Sequence, residues 1–351
     1  MPKNGMLIRI TLALATAALA AALAVTSAGA ASKRSTATLK GAGSTLIAPA
    51  LAVWGPMYKG DTVQYNGIGS GGGIQAISHR TVDFGASDAP LNKAQGQGCN
   101  GCVQVPWALT ATSPVVNIPG VAAHQLKLSG TVLANIYLGS ITNWNDPAIK
   151  KLNPGLSLPS LKIVPVHRSD GSGDTYVFTN YLSKVNKQWK TKVGNATSVS
   201  WPAGIGGKGN AGVAAAVGSN SGAIGYVSVA YVVANHLKLA RLKNASGKYV
   251  LPTLASIESA AQLVKGAHIP ANNKISVTNP PKSDKYRNAY PLATFTYVII
   301  PRHTPKAPQL KAFVTWALGS TAQNAIKKLV FAPMPNSVTK AAKKTLATLH
   351  S

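Results

Sequence analysis

Carboxylates are scarce in this sequence. Eight Asp and Glu residues face 35 Lys and Arg among 351 residues, a formal charge of +27. An excess of this size is one signature of nucleic-acid binding. The basic residues are spread along the chain, with no run longer than two and no interleaving with aromatics, and that distribution argues against a nucleic-acid partner. Another reading needs no polymer. Surface carboxylates lose their charge in acid, so a fold that leans on few of them loses little stability there. The composition suits an acidic exterior. Cysteine is scarcer still: only Cys99 and Cys102, in the loop GCNGC. No second CxxC and no His pair completes a metal site, so neither metal nor cofactor is expected. In an exported protein the pair reads as a small disulfide or as two inert thiols. Beyond residue 30 no apolar run is long enough to span a bilayer.

The single long apolar run, residues 10–25, follows Lys3 and Arg9 and precedes Ala28-Gly29-Ala30. It is read as a cleavable secretory signal over residues 1–30. Its core is short and diluted by Ala and Thr, which argues against a permanent anchor, and no Cys near the cleavage site offers a lipid anchor. The expected location is periplasmic or extracellular. The rest of the chain is 46% hydrophobic when counted with the leader and long enough for two domains.

Residues 162–183, KIVPVHRSDGSGDTYVFTNYLS, show how the chain is built. A β-branched run predicts a buried strand, a loop of small residues follows, and apolar residues at helical spacing predict a helix. A strand, a small-residue loop and a helix leave backbone N–H groups pointing at whatever lies before the helix, which suits an anion. Arg168 at the start of the loop adds a forked positive donor. A plain turn capped by Ser172 or Asp174 is the competing reading. The same build occurs at GAGSTLIAPALAVW and at VQYNGIGSGGGIQAI, and a further Gly-rich loop, WPAGIGGKGNAG, leads into another helix. Residues 91–107 read as loop, residues 67–73 as a glycine turn, and ATFTYVIIP at residues 293–301 as a clear strand. The alternation of strand and helix predicts an α/β fold.

Four of the eight acidic residues, Asp83, Asp88, Asp170 and Asp174, fall in or beside these loops. A carboxylate accepts hydrogen bonds and donates none. Beside an anion it makes sense when the anion carries a proton: it accepts from the P–OH of a protonated phosphate and repels sulfate, which has no proton to offer. The bland alternative is that Asp83 and Asp170 orient Arg168 or cap turns.

The blocks GAGSTLIAPA, NGIGSGGGIQAI, VDFGASDAPL, YLGSITNWNDPAI, RSDGSGDTYVFTNYLS, GGKGN and GAIGYV resemble, in order and over nearly all of the chain beyond the leader, the solute-binding component of the ABC-type phosphate transporter. The resemblance implies a two-lobed periplasmic-binding-protein fold of type II with the ligand in the interlobe cleft. One lobe is then residues 32–114 plus 297–351, the other residues 115–296, and SPVVNI and TFTYVII cross between them. It also implies that phosphate is held by Thr45, the Leu46 amide, Ser70, Asp88, Arg168, Ser172, Gly173 and Asp174, with Asp170 holding Arg168. Leu46 stands where some members have an aromatic, and Asp174 where some have Thr. The implied protein is a monomeric, non-catalytic receptor that hands inorganic phosphate to the permease and ATPase subunits of the transporter. Binding of another oxyanion is the alternative. A phosphatase built on Ser70 or Ser172 needs an adjacent base or metal, and only His167 comes near.

Overall fold

This computed structural model describes Thr36–Ser351; the secretory-signal reading of residues 1–30 lies outside the described residues. The chain starts with three parallel strands. β1 is Thr38–Gly43 and leads to helix α1, Ala48–Met57, which carries Pro49 at its start, where a missing N–H costs no helical bond. β2 is Thr62–Gly67, α2 is Ser70–Ser78 and β3 is Phe84–Ser87. The glycine turn expected at residues 67–73 is therefore half helix. A side chain at Gly73 would run into the β1 backbone at Gly43. Close packing of α2 on β1 outweighs the poor helix propensity of the glycines.

Residues 91–107 were expected to be loop and are not. They contain α3, Lys93–Gly98, with an Asn92–Gln95 capping box, and the beginning of β4, Cys102–Asn117. Two features hide this strand in the sequence. It is buried almost throughout, so it has no polar–apolar alternation. It also contains Pro106, which sits where the ladder register shifts, a place a strand tolerates proline. Cys99 and Cys102 are bonded to each other just before it.

The second part of the chain repeats the strand-to-helix plan. β5 is Lys127–Leu128, α4 is Gly130–Tyr137 capped by Ser129, and α5 is Pro147–Leu152 capped by Asp146. β6, Val164–Arg168, runs into α6, Gly173–Val185, and then α7, Lys187–Lys192. β7, Ile205–Gly207, precedes α8, Gly209–Ser219; β8, Ala223–Ser228, precedes α9, Val229–Asn235. The short strands β9 (Lys238–Leu239), β10 (Arg241–Lys243) and β11 (Tyr249–Val250) lead to α10, Leu254–Ala261. β12 is Ala293–Pro301, with the bounds the sequence predicts, and α11 (Ala307–Ala317), α12 (Ser320–Ala325) and α13 (Asn336–Ala347) close the chain.

The main sheet has the order β2-β1-β3-β12-β4-β8-β6-β7. Its register decides where a ligand can sit. β4 pairs with β12 over Cys102–Ala111 and with β8 over Thr112–Asn117. β1, β2 and β3 are mutually parallel and β12 is antiparallel to β3 and β4. β8 is antiparallel to β4 while β6 and β7 run parallel to β8. The C-terminal ends of β1–β3 and of β6–β8 therefore face one another across the middle of β4. In open α/β sheets such ends are where ligands bind. Separate hydrophobic clusters support the two strand sets. Trp54, Phe84, Trp107 and Phe313 lie in one; Tyr137, Trp144, Phe178, Trp189 and Tyr226 lie in the other.

Candidate functional site

Each residue implied at the site sits at one of these facing ends. Thr45 and Leu46 follow β1, Ser70 opens α2, and Asp88 follows β3. From the other side come Arg168 at the end of β6, Asp170 in the loop, and Ser172, Gly173 and Asp174 at the start of α6. All are buried except Asp170, which is half-buried. The two glycine loops touch directly, the Gly71 amide donating to the Gly171 carbonyl at 2.8 Å. Gly173 has to be glycine: a Cβ there would collide with the Asp88 carboxylate. Ser70 Oγ joins the two sides by accepting from the Gly173 amide at 3.0 Å and the Asp88 amide at 3.3 Å.

Arg168 is the cation of the site. Its Nε donates to Asp170 Oδ1 at 2.7 Å, a second nitrogen reaches Asp170 Oδ2, and the third donates to Asp174 Oδ2 at 3.0 Å. Burial disfavours its charge, but the Asp170 hydrogen bonds and the charges of Asp174 and Asp170 outweigh that and raise its pKa. Asp170 also accepts from the Gly209 amide at 2.9 Å. Partial burial raises its pKa; Arg168 more than reverses this, and the carboxyl ends below its usual range. Asp170 thus holds Arg168, as the resemblance implies. Asp83 does not reach Arg168. It accepts from the Lys40 amide at 2.7 Å and pairs with Lys306 at 2.8 Å, so its part is to tie β1 to the chain after β12.

Asp88 has a different environment. Ser44 Oγ lies 2.7 and 2.6 Å from its two oxygens, and no cation bonds to it. Complete burial, and then the charge of Asp174, push its carboxyl up to about 7, against the lowering effects of Ser44, Thr296 and Arg168. Asp174 is raised too. Burial is the main cause, opposed by Arg168, Thr112 and Asn210. Thr112 Oγ1 donates to its Oδ1 at 2.6 Å. Ser172 caps α6 by accepting from the Thr175 amide at 3.2 Å, and the Tyr226 hydroxyl braces this corner against the Arg168 amide and Thr175.

Three neighbours were not singled out from the sequence: Ser44, Thr112 and Asn210. Ser44 and Asn210 lie inside the quoted blocks GAGST and GGKGN, so proximity to a Gly loop was their signal. Thr112 has none, since it lies within a long buried strand. Lys208, exposed, borders a cavity of about 420 Å³ together with Thr45, Asp170 and Tyr231 at the edge of this site.

The family comparisons bear directly on this arrangement. A model of the PBP superfamily domain matches residues 28–321. The phosphate-binding protein PstS of Pasteurella multocida is 43% identical over 307 residues, covering 86% of this chain and 87% of that protein. PstS of Xylella fastidiosa is 41% identical over 308 residues, covering 86% and 83%. The chain belongs to the PstS family. In PstS terms the archaeal relative from Methanocaldococcus jannaschii is further off, at 36% identity over 73% of this chain and 71% of its own length. Among solved structures, the periplasmic phosphate-binding protein PfluDING aligns with a TM-score of 0.69 at 22% identity, over 88% of this chain and 93% of that one. A phosphate transport receptor from Vibrio cholerae aligns at 0.54 and 20%, over 85% and 100%. These structures establish the fold, the two-lobed type II arrangement expected from the sequence blocks of this PstS member. Among the described residues no helix is long and apolar enough to cross a membrane.

Proposed function

We propose that this protein is an extracytoplasmic receptor that captures inorganic phosphate between its lobes and delivers it to the permease and ATPase subunits of an ABC-type importer. One observation carries the reading: Thr45, Ser70, Asp88, Arg168 and the α6 N-terminus converge from both strand sets on one buried place. The relatives named PstS support phosphate as the ligand. Lobe one would be residues 32–114 plus 297–351 and lobe two residues 115–296, so phosphate would bridge them and closure would complete its site.

In this reading the anion is bound by neutral donors and one cation. The donors are the Thr45 and Ser70 hydroxyls and amides at residues 46, 173 and 174, assisted by Ser172; the α6 N-terminus faces the charge. Asp88 takes the P–OH hydrogen and thereby rejects sulfate. Asp174 keeps Arg168 aligned, and its remaining acceptor capacity takes a second proton from monobasic phosphate. A non-catalytic, monomeric role is favoured over hydrolysis. The Ser70 oxygen is engaged by two amides and the Ser172 oxygen caps a helix. The His167 ring stacks on Trp201 with centroids 4.8 Å apart, and Nδ1 lies 3.2 Å from the Arg168 carbonyl oxygen, so it activates neither serine. Isothermal titration with phosphate and with sulfate tests the proposal. Binding of phosphate but not sulfate is expected, and equal binding of both, or release of phosphate from an ester, overturns it.

A further inference from the structure

We propose that Asn210 is a positioning residue of this site, which sets the Thr45 hydroxyl as a donor to the anion and latches the β1 loop to the opposite side of the cleft. The inference rests on the phosphate-receptor reading above. Asn210 is fully buried at the start of α8. Its Oδ1 accepts from the Ser228 amide at 2.6 Å. That bond fixes which way the side chain faces: reversed, its NH₂ would meet another N–H, and its oxygen would meet the Asp174 carboxylate. Nδ2 then sends one hydrogen to Thr45 Oγ1 at 2.8 Å and the other to Asp174 Oδ2 at 2.7 Å. The Asn210 backbone N–H also points at Thr45 Oγ1, at 3.2 Å.

A threonine hydroxyl has two acceptor sites and one hydrogen. Asn210 fills both acceptor sites of Thr45, so the hydroxyl hydrogen has to point elsewhere. An anion held beside Leu46 and Ser70 is the acceptor that suits it. The same amide ties three elements of the second strand set, α6, α8 and β8, to a loop of the first. Opening the cleft breaks both bonds to Thr45, which places the cost of losing Asn210 on the rate of phosphate release.

The test is a double-mutant cycle on the purified protein with Asn210→Ala, Thr45→Ala and both, titrated with inorganic phosphate and followed by stopped-flow release. Asn210→Ala is expected to weaken phosphate about 10- to 100-fold, chiefly through faster release. In the Thr45→Ala background the same change should cost at least about threefold less. An equal loss in both backgrounds, a loss confined to the association rate, or no loss overturns the latch. Such results leave the receptor reading standing whenever the unmutated protein binds phosphate; if the unmutated protein binds none, that reading falls and the latch falls with it. Should Asn210→Ala fail to melt cooperatively, Asn210→Asp, which keeps Oδ1 for the Ser228 amide, is judged in the same cycle by the same outcomes.

Discussion

The two sides of the cleft hold their carboxylates in opposite ways. On the α6 side, Asp170 is clamped by Arg168 and the Gly209 amide and titrates below its usual range. On the β3 side, Asp88 is fully buried, has only the Ser44 hydroxyl close on its oxygens, and is pushed up to about 7. The residue type is the same and the partner decides the charge. One side keeps a fixed ion pair that aims a cation. The other keeps an acceptor whose charge is sensitive to what is bound. A site built of two clamped carboxylates would repel every anion alike; a site with one poised acceptor can select an anion by its proton.

The largest way to break this contrast is Arg168→Ala. It leaves Asp170 and Asp174 without their cation, and removing one partner of a buried pair costs about 3–5 kcal/mol. We expect a large drop in melting temperature and at least about a hundredfold loss of phosphate affinity in titration calorimetry. Asp88→Asn acts on the other side alone. It should fold, weaken phosphate about 10- to 100-fold, and narrow the preference for phosphate over sulfate. A variant with unchanged discrimination would remove Asp88 from the proton-accepting role.

A third measurement reads the contrast through pH. With its pKa raised, Asp88 keeps a proton in the folded chain that the unfolded chain gives up near pH 4. Its contribution is full below that pH and is lost as pH rises through about 7. Asp174, also raised, has the same sign. Asp170 has the opposite sign: its contribution is present above the usual carboxylate range and is lost only as pH falls through its depressed value. Phosphate-free protein should therefore melt at a higher temperature at pH 5 than at pH 8, and Asp88→Asn should flatten much of that slope. This direction agrees with the acidic exterior that the shortage of surface carboxylates suits. Asp174→Thr should bind phosphate within about tenfold of the unmutated protein while changing how affinity varies with pH; an unaltered profile counts against a second proton acceptor. The smallest effect belongs to a pair outside the cleft. Lys306→Met breaks the partly exposed link to Asp83, whose side chains are 35% and 21% exposed, and should cost less than about 1 kcal/mol in denaturant unfolding.

Much of the site was legible before the structure because anion binding of this kind uses backbone and small residues in sequence-local loops. The GAGST, GIGSGGG and RSDGSGD blocks each bring their donors to a helix start by local geometry alone. The strand at residues 293–301 was legible for a similar reason, as a compact β-branched and aromatic run. The β4 strand was not, because burial on both faces erased its alternation and Pro106 broke its pattern. Asp83 shows the limit of reading by proximity in sequence: it borders a Gly loop, yet β3 carries it to the opposite end of the strand from Asp88.

By itself the sequence determined which groups are available: a cation at 168, acceptors at 88, 170 and 174, hydroxyls at 45 and 70, and glycines that let backbone approach backbone. Only the tertiary structure decided what each group is. Register along β4 sets two bundles of strand ends facing each other, and that placement gives Arg168 to Asp170 and Asp174 while leaving Asp88 with a hydroxyl. Charge state, and the use of Asn210 across the cleft, follow from distances of about 3 Å between residues as far apart as Thr45 and Asn210, and no local pattern in the chain encodes a contact of that span.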